Sequence, residues 1–169
     1  TTMRTLQSST LVSLLLLASL SVMLTPAFAA DTTVNSDATW TGSVVLTGNV
    51  TVANGTTLTI SSGTTVDGTD DHWIRIDGTL IAEDTTFFSS ETPLTQGSHG
   101  AGLWVGLHIS STGHAQFNNV TIDNAKTAVR NDGTVHATDL TIDDAYIGIN
   151  NMGTATVSYT HLTLPTSVI

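Results

Sequence analysis

GHAQFNNVTIDNAKTAVRND at 113–132 is followed at once by GTVHATDLTIDDAYIGINNM at 133–152. Laid one on the other, the two stretches keep Gly113/Gly133, Thr121/Thr141, Ile122/Ile142, Asp123/Asp143, Ala125/Ala145 and Asn131/Asn151 in register. Val120/Leu140 and Val129/Ile149 are conservative exchanges, and Gly153 opens the next copy. A fixed period of about twenty residues is the signature of a solenoid, in which no unit can bury its apolar face alone and each stacks on its neighbour.

Within each copy the apolar residues alternate with polar ones. Ala115 and Phe117 fall on one side, with His114, Gln116 and Asn118 on the other; Val120 and Ile122 follow, then Thr127 and Val129. The next copy repeats this with Val135/Ala137, Leu140/Ile142 and Ile147/Ile149. Three short runs of period two per unit predict a coil with three strand faces. Asn or Asp at the corners and Gly at each restart are expected to supply turn backbone.

Upstream, GTLIAEDTTF at 78–87 matches GTVHATDLTI at 133–142 almost term for term. The distance from Gly78 to Gly113 exceeds the period, and the excess maps to residues 89–103, rich in Ser, Thr, Gly and Pro, which predicts an inserted loop at one corner. GNVTVANGTTLTI at 48–60 and GTTV at 63–66 form the earlier coils, and residues 30–39 read as an approach segment or cap.

Trp40-Thr41-Gly42, GTTLTI at 55–60, GTTV at 63–66, GTLIA at 78–82 and GLWVGL at 102–107 resemble the right-handed parallel β-helix repeat of secreted prokaryotic surface proteins. The resemblance covers residues 40–157 and implies an all-β, pectin-lyase-like solenoid of about five to six coils. That fold is shared by polysaccharide lyases, glycosidases, adhesins and non-catalytic stalks, so it specifies activity weakly. A left-handed hexapeptide helix is disfavoured by the period, and an immunoglobulin-like sandwich would not give position-matched coils.

The ends of the chain carry their own signals. Residues 3–29 hold one cation, Arg4, then an apolar run from Leu11 to Leu24 and a small-residue site ending Ala27-Phe28-Ala29, the pattern of a secretory signal peptide. At the other end, residues 158–169 break repeat and composition. They resemble the translation of a sequencing-library adapter, which makes the chain the expected N-terminal part of a longer protein.

All 14 acidic residues lie after Ala30, where the only bases are Arg75, Lys126 and Arg130, and the whole chain has a net charge of −10. Such a surface argues against nucleic acid or an anionic membrane surface as partner and for bound cations or a salty exterior. There is no Cys, so an exported chain would rely on its continuous core and on no disulfide.

Several residues are candidates for chemistry. Asp123 and Asp143 stack one coil apart with Asn124 and Asp144 beside them, a set of hard oxygens suited to Ca²⁺ or, without it, a solvated acidic corner. Asp67, Asp70 and Asp71 form a second oxygen cluster. His114, Gln116 and His136 share an outward face without a third metal ligand fixed by spacing. His72, His99 and His108 give no triad with a Ser or Asp. Asn131 and Asn151 are expected to form an amide ladder along the column. Trp104, flanking the inserted loop with His99, is either a sugar-stacking platform or core filling. Asn49, Asn54 and Asn119 stand in glycosylation sequons.

Two functions of different class follow. One is a non-catalytic, cell-surface structural or adhesion module with glycans or other surface proteins as partners and no obligatory cofactor. The other is a polysaccharide lyase or glycoside hydrolase. The resemblance implies for a lyase a site of several Asp with Ca²⁺ and a basic residue to abstract a proton, for which Lys126 and Arg130 are the candidates.

Overall fold

The computed structural model describes residues 27–28, 31–69, 71–91 and 103–162. Its first strands are β1 (Ala27–Phe28), β2 (Thr32–Val34), β3 (Ala38–Trp40), β4 (Ser43–Leu46), β5 (Val50–Val52), β6 (Thr57–Ile60), β7 (Thr65–Asp67) and β8 (Trp73–Ile76). The chain continues through β9 (Thr79–Phe88), β10 (Gly106–Ile109), β11 (His114–Asp123), β12 (Thr127–Asn131), β13 (Thr134–Asp143), β14 (Ile147–Asn151) and β15 (Thr154–Leu162). Every ladder among the described residues is parallel, and the chain winds as an all-β solenoid of about five turns.

Three faces arise. The first stacks β2, β5, β8, β10, β12 and β14 in that order. The second begins with β3 and β6 and continues on the leading halves of β9, β11, β13 and β15. The third carries β1, β4 and β7 and then the trailing halves of the same long strands. Residues 30–39, expected as an approach segment or cap, therefore include β2 and β3, which pair in register with β5 and β6. Of residues 3–29 only Ala27–Phe28 are described, and they pair with Val45 and Leu46. Residues 92–102 of the inserted loop lie outside the described residues. No helix among the described residues is long and apolar enough to cross a membrane.

Period-two alternation sends one side chain in two to the axis, where equivalent residues stack. Val50, Ile74, Leu107 and Val129 form one buried column, and Val66, Phe87, Ile122 and Ile142 another. A third column alternates bulk, with Ile60, Ala82, Phe117 and Ala137 in succession, so that large residues fill space left by small ones.

The corners are built by two different devices. Between the second and third faces the chain turns through one left-handed residue in each of five coils: Gly42 (φ 77°), Gly63 (78°), Asp84 (43°), Asn119 (52°) and Asp139 (55°). Gly carries no Cβ penalty there, and Asp and Asn are the side chains that tolerate this region best. Asp84 also ties the stack, its carboxylate accepting from Ser62 Oγ at 2.8 Å in the coil before and from Asn119 Nδ2 at 2.7 Å in the coil after.

The glycines that open each repeat work otherwise than expected. Gly78, Gly113, Gly133 and Gly153 are not among the residues of positive φ. A Cβ at each would meet a backbone carbonyl of the preceding coil, at 2.2 Å from Ala53 O, 2.0 Å from Ile76 O, 2.2 Å from Ser110 O and 2.2 Å from Gly133 O respectively. They supply room for one coil to lie on the next.

β15 runs on through residues 158–162, pairing Ser158 with Thr138 and Leu162 with Ile142. The repeat's strand register therefore continues past the point where the sequence alone suggests a break. A run rich in β-forming residues pairs with an open edge whatever its origin.

Candidate functional site

On the first face, β8 turns Ile74 and Ile76 inward, so Trp73 and Arg75 face outward. Parallel pairing then sets Thr51, Arg75, His108, Arg130 and Asn150 in one outward column. Neighbours along such a column are separated by the inter-strand distance of about 4.8 Å. Three basic side chains thus occupy consecutive coils of an acidic protein.

Carboxylates at the edge of this face hold them. Arg75 Nε donates to Asp77 Oδ1 at 2.8 Å, and Arg130 Nε lies 3.3 Å from Asp132 Oδ2. The same Asp132 oxygen is 2.9 Å from His108 Nε2. The hydrogen bond with His108, followed by the charge of Arg130, holds the Asp132 carboxyl below its ordinary value against the opposing effect of burial. For Asp77 the largest cause of lowering is a hydrogen bond with the Ser110 side chain, with Arg75 next among the groups that lower it. Asp132 Oδ1 is buried without a hydrogen-bond partner.

Beside the column is a groove of about 240 Å³ whose lining includes Trp73, Arg75, Gly106, His108, Thr127 and Arg130. Gly106 pairs in register with Trp73. Its left-handed backbone (φ 111°) and the 1.8 Å approach that a Cβ would make to Thr127 O exclude other residues there. An aromatic face, two guanidinium groups anchored through Nε and an imidazole can stack on a ring and hydrogen-bond to hydroxyl, carboxylate or sulfate oxygens.

The other sequence candidates fall elsewhere. Trp104 is fully buried, with its ring stacked on Phe87 at a centroid separation of 6.0 Å and its Nε1 donating to Asp123 O at 3.0 Å. It fills a corner of the core and offers no face to a sugar, which corrects its candidacy as a platform. Gly68 makes room for it, since a Cβ there would lie 2.6 Å from the ring. His99 and Asp70 lie outside the described residues.

Asp123 and Asp143 stack in register, with Asp123 partly buried and Asp143 and Asp144 exposed. Burial, and after it the charges of Asp143 and Asp144, push the Asp123 carboxyl up, while a hydrogen bond from the Asn124 backbone opposes them. Among the described residues no three His, Cys, Asp or Glu side chains converge as metal ligands. Asp67 is instead buried in its own turn, accepting from Thr69 N at 2.9 Å and Ser90 N at 3.1 Å.

Lys126 forms an ion pair with Asp71 through Nζ and Oδ1. Of the two basic candidates only Arg130 lines the groove. His136 pairs with Gln116, and His114 with Thr134. The amide ladder is present: Asn131 Nδ2 donates to Asn151 Oδ1 at 2.7 Å and to Thr154 O at 3.0 Å, and its Oδ1 accepts from Gly133 N at 3.1 Å.

Arg75 escapes pairing with Arg130 in a sequence reading because the insertion between β9 and β10 throws the two out of the repeat's period. The alternation of Trp73-Ile74-Arg75-Ile76 was the available signal for an outward Trp and Arg on one strand. No protein-family model matches this chain, and neither a curated protein nor a solved structure does.

Proposed function

We propose that this chain is an exported β-solenoid of the pectin-lyase-like kind, working at the cell surface as a structural and adhesion module that holds carbohydrate on its first face. The observation that carries the reading is the groove in which Trp73 adjoins the outward column Arg75, His108 and Arg130. Stacking of an indole on a sugar ring with anchored guanidinium groups at its rim is a recognition chemistry for saccharides. The signal-peptide pattern of residues 3–29 supports export, and the acidic exterior supports solubility there. The position of Arg130 in the groove also favours a second reading, a lyase in which it is the base.

Calorimetry with a panel of neutral, carboxylated and sulfated oligosaccharides, run beside an assay for unsaturated products, tests both. The expected result is binding without turnover, weakened at least about tenfold by Trp73→Ala, the scale of one lost aromatic contact. No binding across the panel overturns the adhesion reading. Product formation that Arg130→Ala abolishes, with the fold intact, replaces it by the lyase.

A further inference from the structure

We infer that Asn54-Gly55 is a self-modifying step, at which the folded chain loses ammonia and leaves aspartate or isoaspartate at residue 54. The backbone nitrogen that follows an Asn can attack its side-chain carbonyl carbon when that nitrogen is uncrowded, unbonded and open to water. A following Gly, without a Cβ, crowds it least. Four steps of this sequence set Asn or Asp before Gly: Asn54-Gly55, Asp67-Gly68, Asp77-Gly78 and Asp132-Gly133.

The stacking of coils closes three of them. Gly68 N donates to Phe88 O at 2.7 Å, Gly78 N to Val52 O at 3.1 Å, and Gly133 N to Asn131 Oδ1 at 3.1 Å. The carboxylates are engaged as well: Asp67 accepts from Thr69 N and Ser90 N, Asp77 from Arg75, and Asp132 holds His108 and Arg130. Asn54-Gly55 differs on each count. Both residues are exposed, and the Gly55 N–H and the Asn54 side chain take part in no hydrogen bond among the described residues. Nothing lies within 4 Å of the place a Gly55 Cβ would occupy. The turn is closed around the step by Thr56 N donating to Ala53 O at 3.1 Å, with Gly55 at φ 80° in the position a type II turn gives to glycine.

In the step, Gly55 N loses its proton and bonds to Asn54 Cγ. The Cγ–Nδ2 bond breaks, and Nδ2 leaves as ammonia with that proton. The five-membered cyclic imide then takes up one water. Opening between Cγ and the nitrogen gives aspartate; opening between the backbone carbonyl carbon and the nitrogen gives isoaspartate, whose chain runs through Cβ. Either product adds a carboxylate to the corner, and isoaspartate puts one more carbon into the turn that Ala53 O and Thr56 N close.

Peptide mapping by mass spectrometry of the full chain, held folded at mildly alkaline pH, tests this. Asp77→Asn supplies the standard, a second Asn-Gly step in the same chain whose Gly78 N–H is bonded to Val52 O. Residue 54 is expected to convert at least about tenfold faster than the amide introduced at 77, because the latter must wait for a local opening of the stack. In urea the two convert at like rates, and Asn54→Gln removes the product at 54. If Asp77→Asn loses the circular dichroism of the parent, Asp132→Asn, beside the bonded Gly133 N–H, serves as the standard. An amide at 54 that persists in the folded chain while the urea-unfolded chain loses it overturns the proposal, as does a smaller ratio between the two sites.

Discussion

At Gly133 one added methyl would come within 2.2 Å of Ser110 O and 2.4 Å of Gly113 O, whereas at Gly55 nothing lies within 4 Å. The two glycines therefore separate two costs. Gly133→Ala must part the backbones of adjacent coils and is expected to cost about 3 kcal/mol, at the upper end for overpacking. Gly55→Ala meets only the left-handed backbone at φ 80°, which costs about 1 kcal/mol. Urea denaturation of both variants checks the order. The repeat shows that a glycine recurs at 113, 133 and 153, but spacing cannot tell a conformational requirement from a packing one. That distinction depends on which atoms of the preceding coil lie above the Cα. Trp104 teaches the same lesson: its place beside the insertion fits a surface platform equally well, and only the Phe87 ring beneath it and the space left at Gly68 put it inside.

At the scale of strands and corners, polar side chains tie coil to coil. Asn131 sits where the core column below it holds Ile109, and it is fully buried. Asn131→Ala would leave the Gly133 N–H without its acceptor and is expected to cost about 2 to 3 kcal/mol, the desolvation penalty of unpaired buried groups. Faster amide exchange at Gly133, with the other strands still protected, is the accompanying measurement. The ladder was legible because Asn131 and Asn151 recur at the period. Titration adds a second expectation. Asp77, Asp84 and Asp132 have carboxyls held below the ordinary value of 3.8, Asp84 chiefly by the Asn119 amide. Their contribution is present above that value and is lost as pH falls through their lower folded values. Asp123 has the opposite sign: its folded value is raised, so its penalty is absent in acid and grows as pH rises through that value. Asp123→Asn should therefore raise the melting temperature at neutral pH and bring no gain near about pH 3, below the ordinary carboxylate range. A gain of equal size at both pH values would refute this account.

Across the whole molecule, the groove on the first face is the surface suited to a ligand, and it is not visible in the letters. Arg75 and Arg130, like Asp71 and Lys126, are the same number of residues apart, a separation that includes the insertion and is no multiple of the repeat. The all-β class, the three faces, the inward residues and the Asn ladder follow from the sequence by itself, because alternation and period are properties of neighbouring residues and of equal coils. Which outward residues of unequal coils meet was decided only by the tertiary structure, since the cross-coil register through an insertion is set by how β10 stacks on β8. The burial of Trp104 and the tight backbone approach at the opening glycines belong there too, because both are contacts between coils that no single coil encodes.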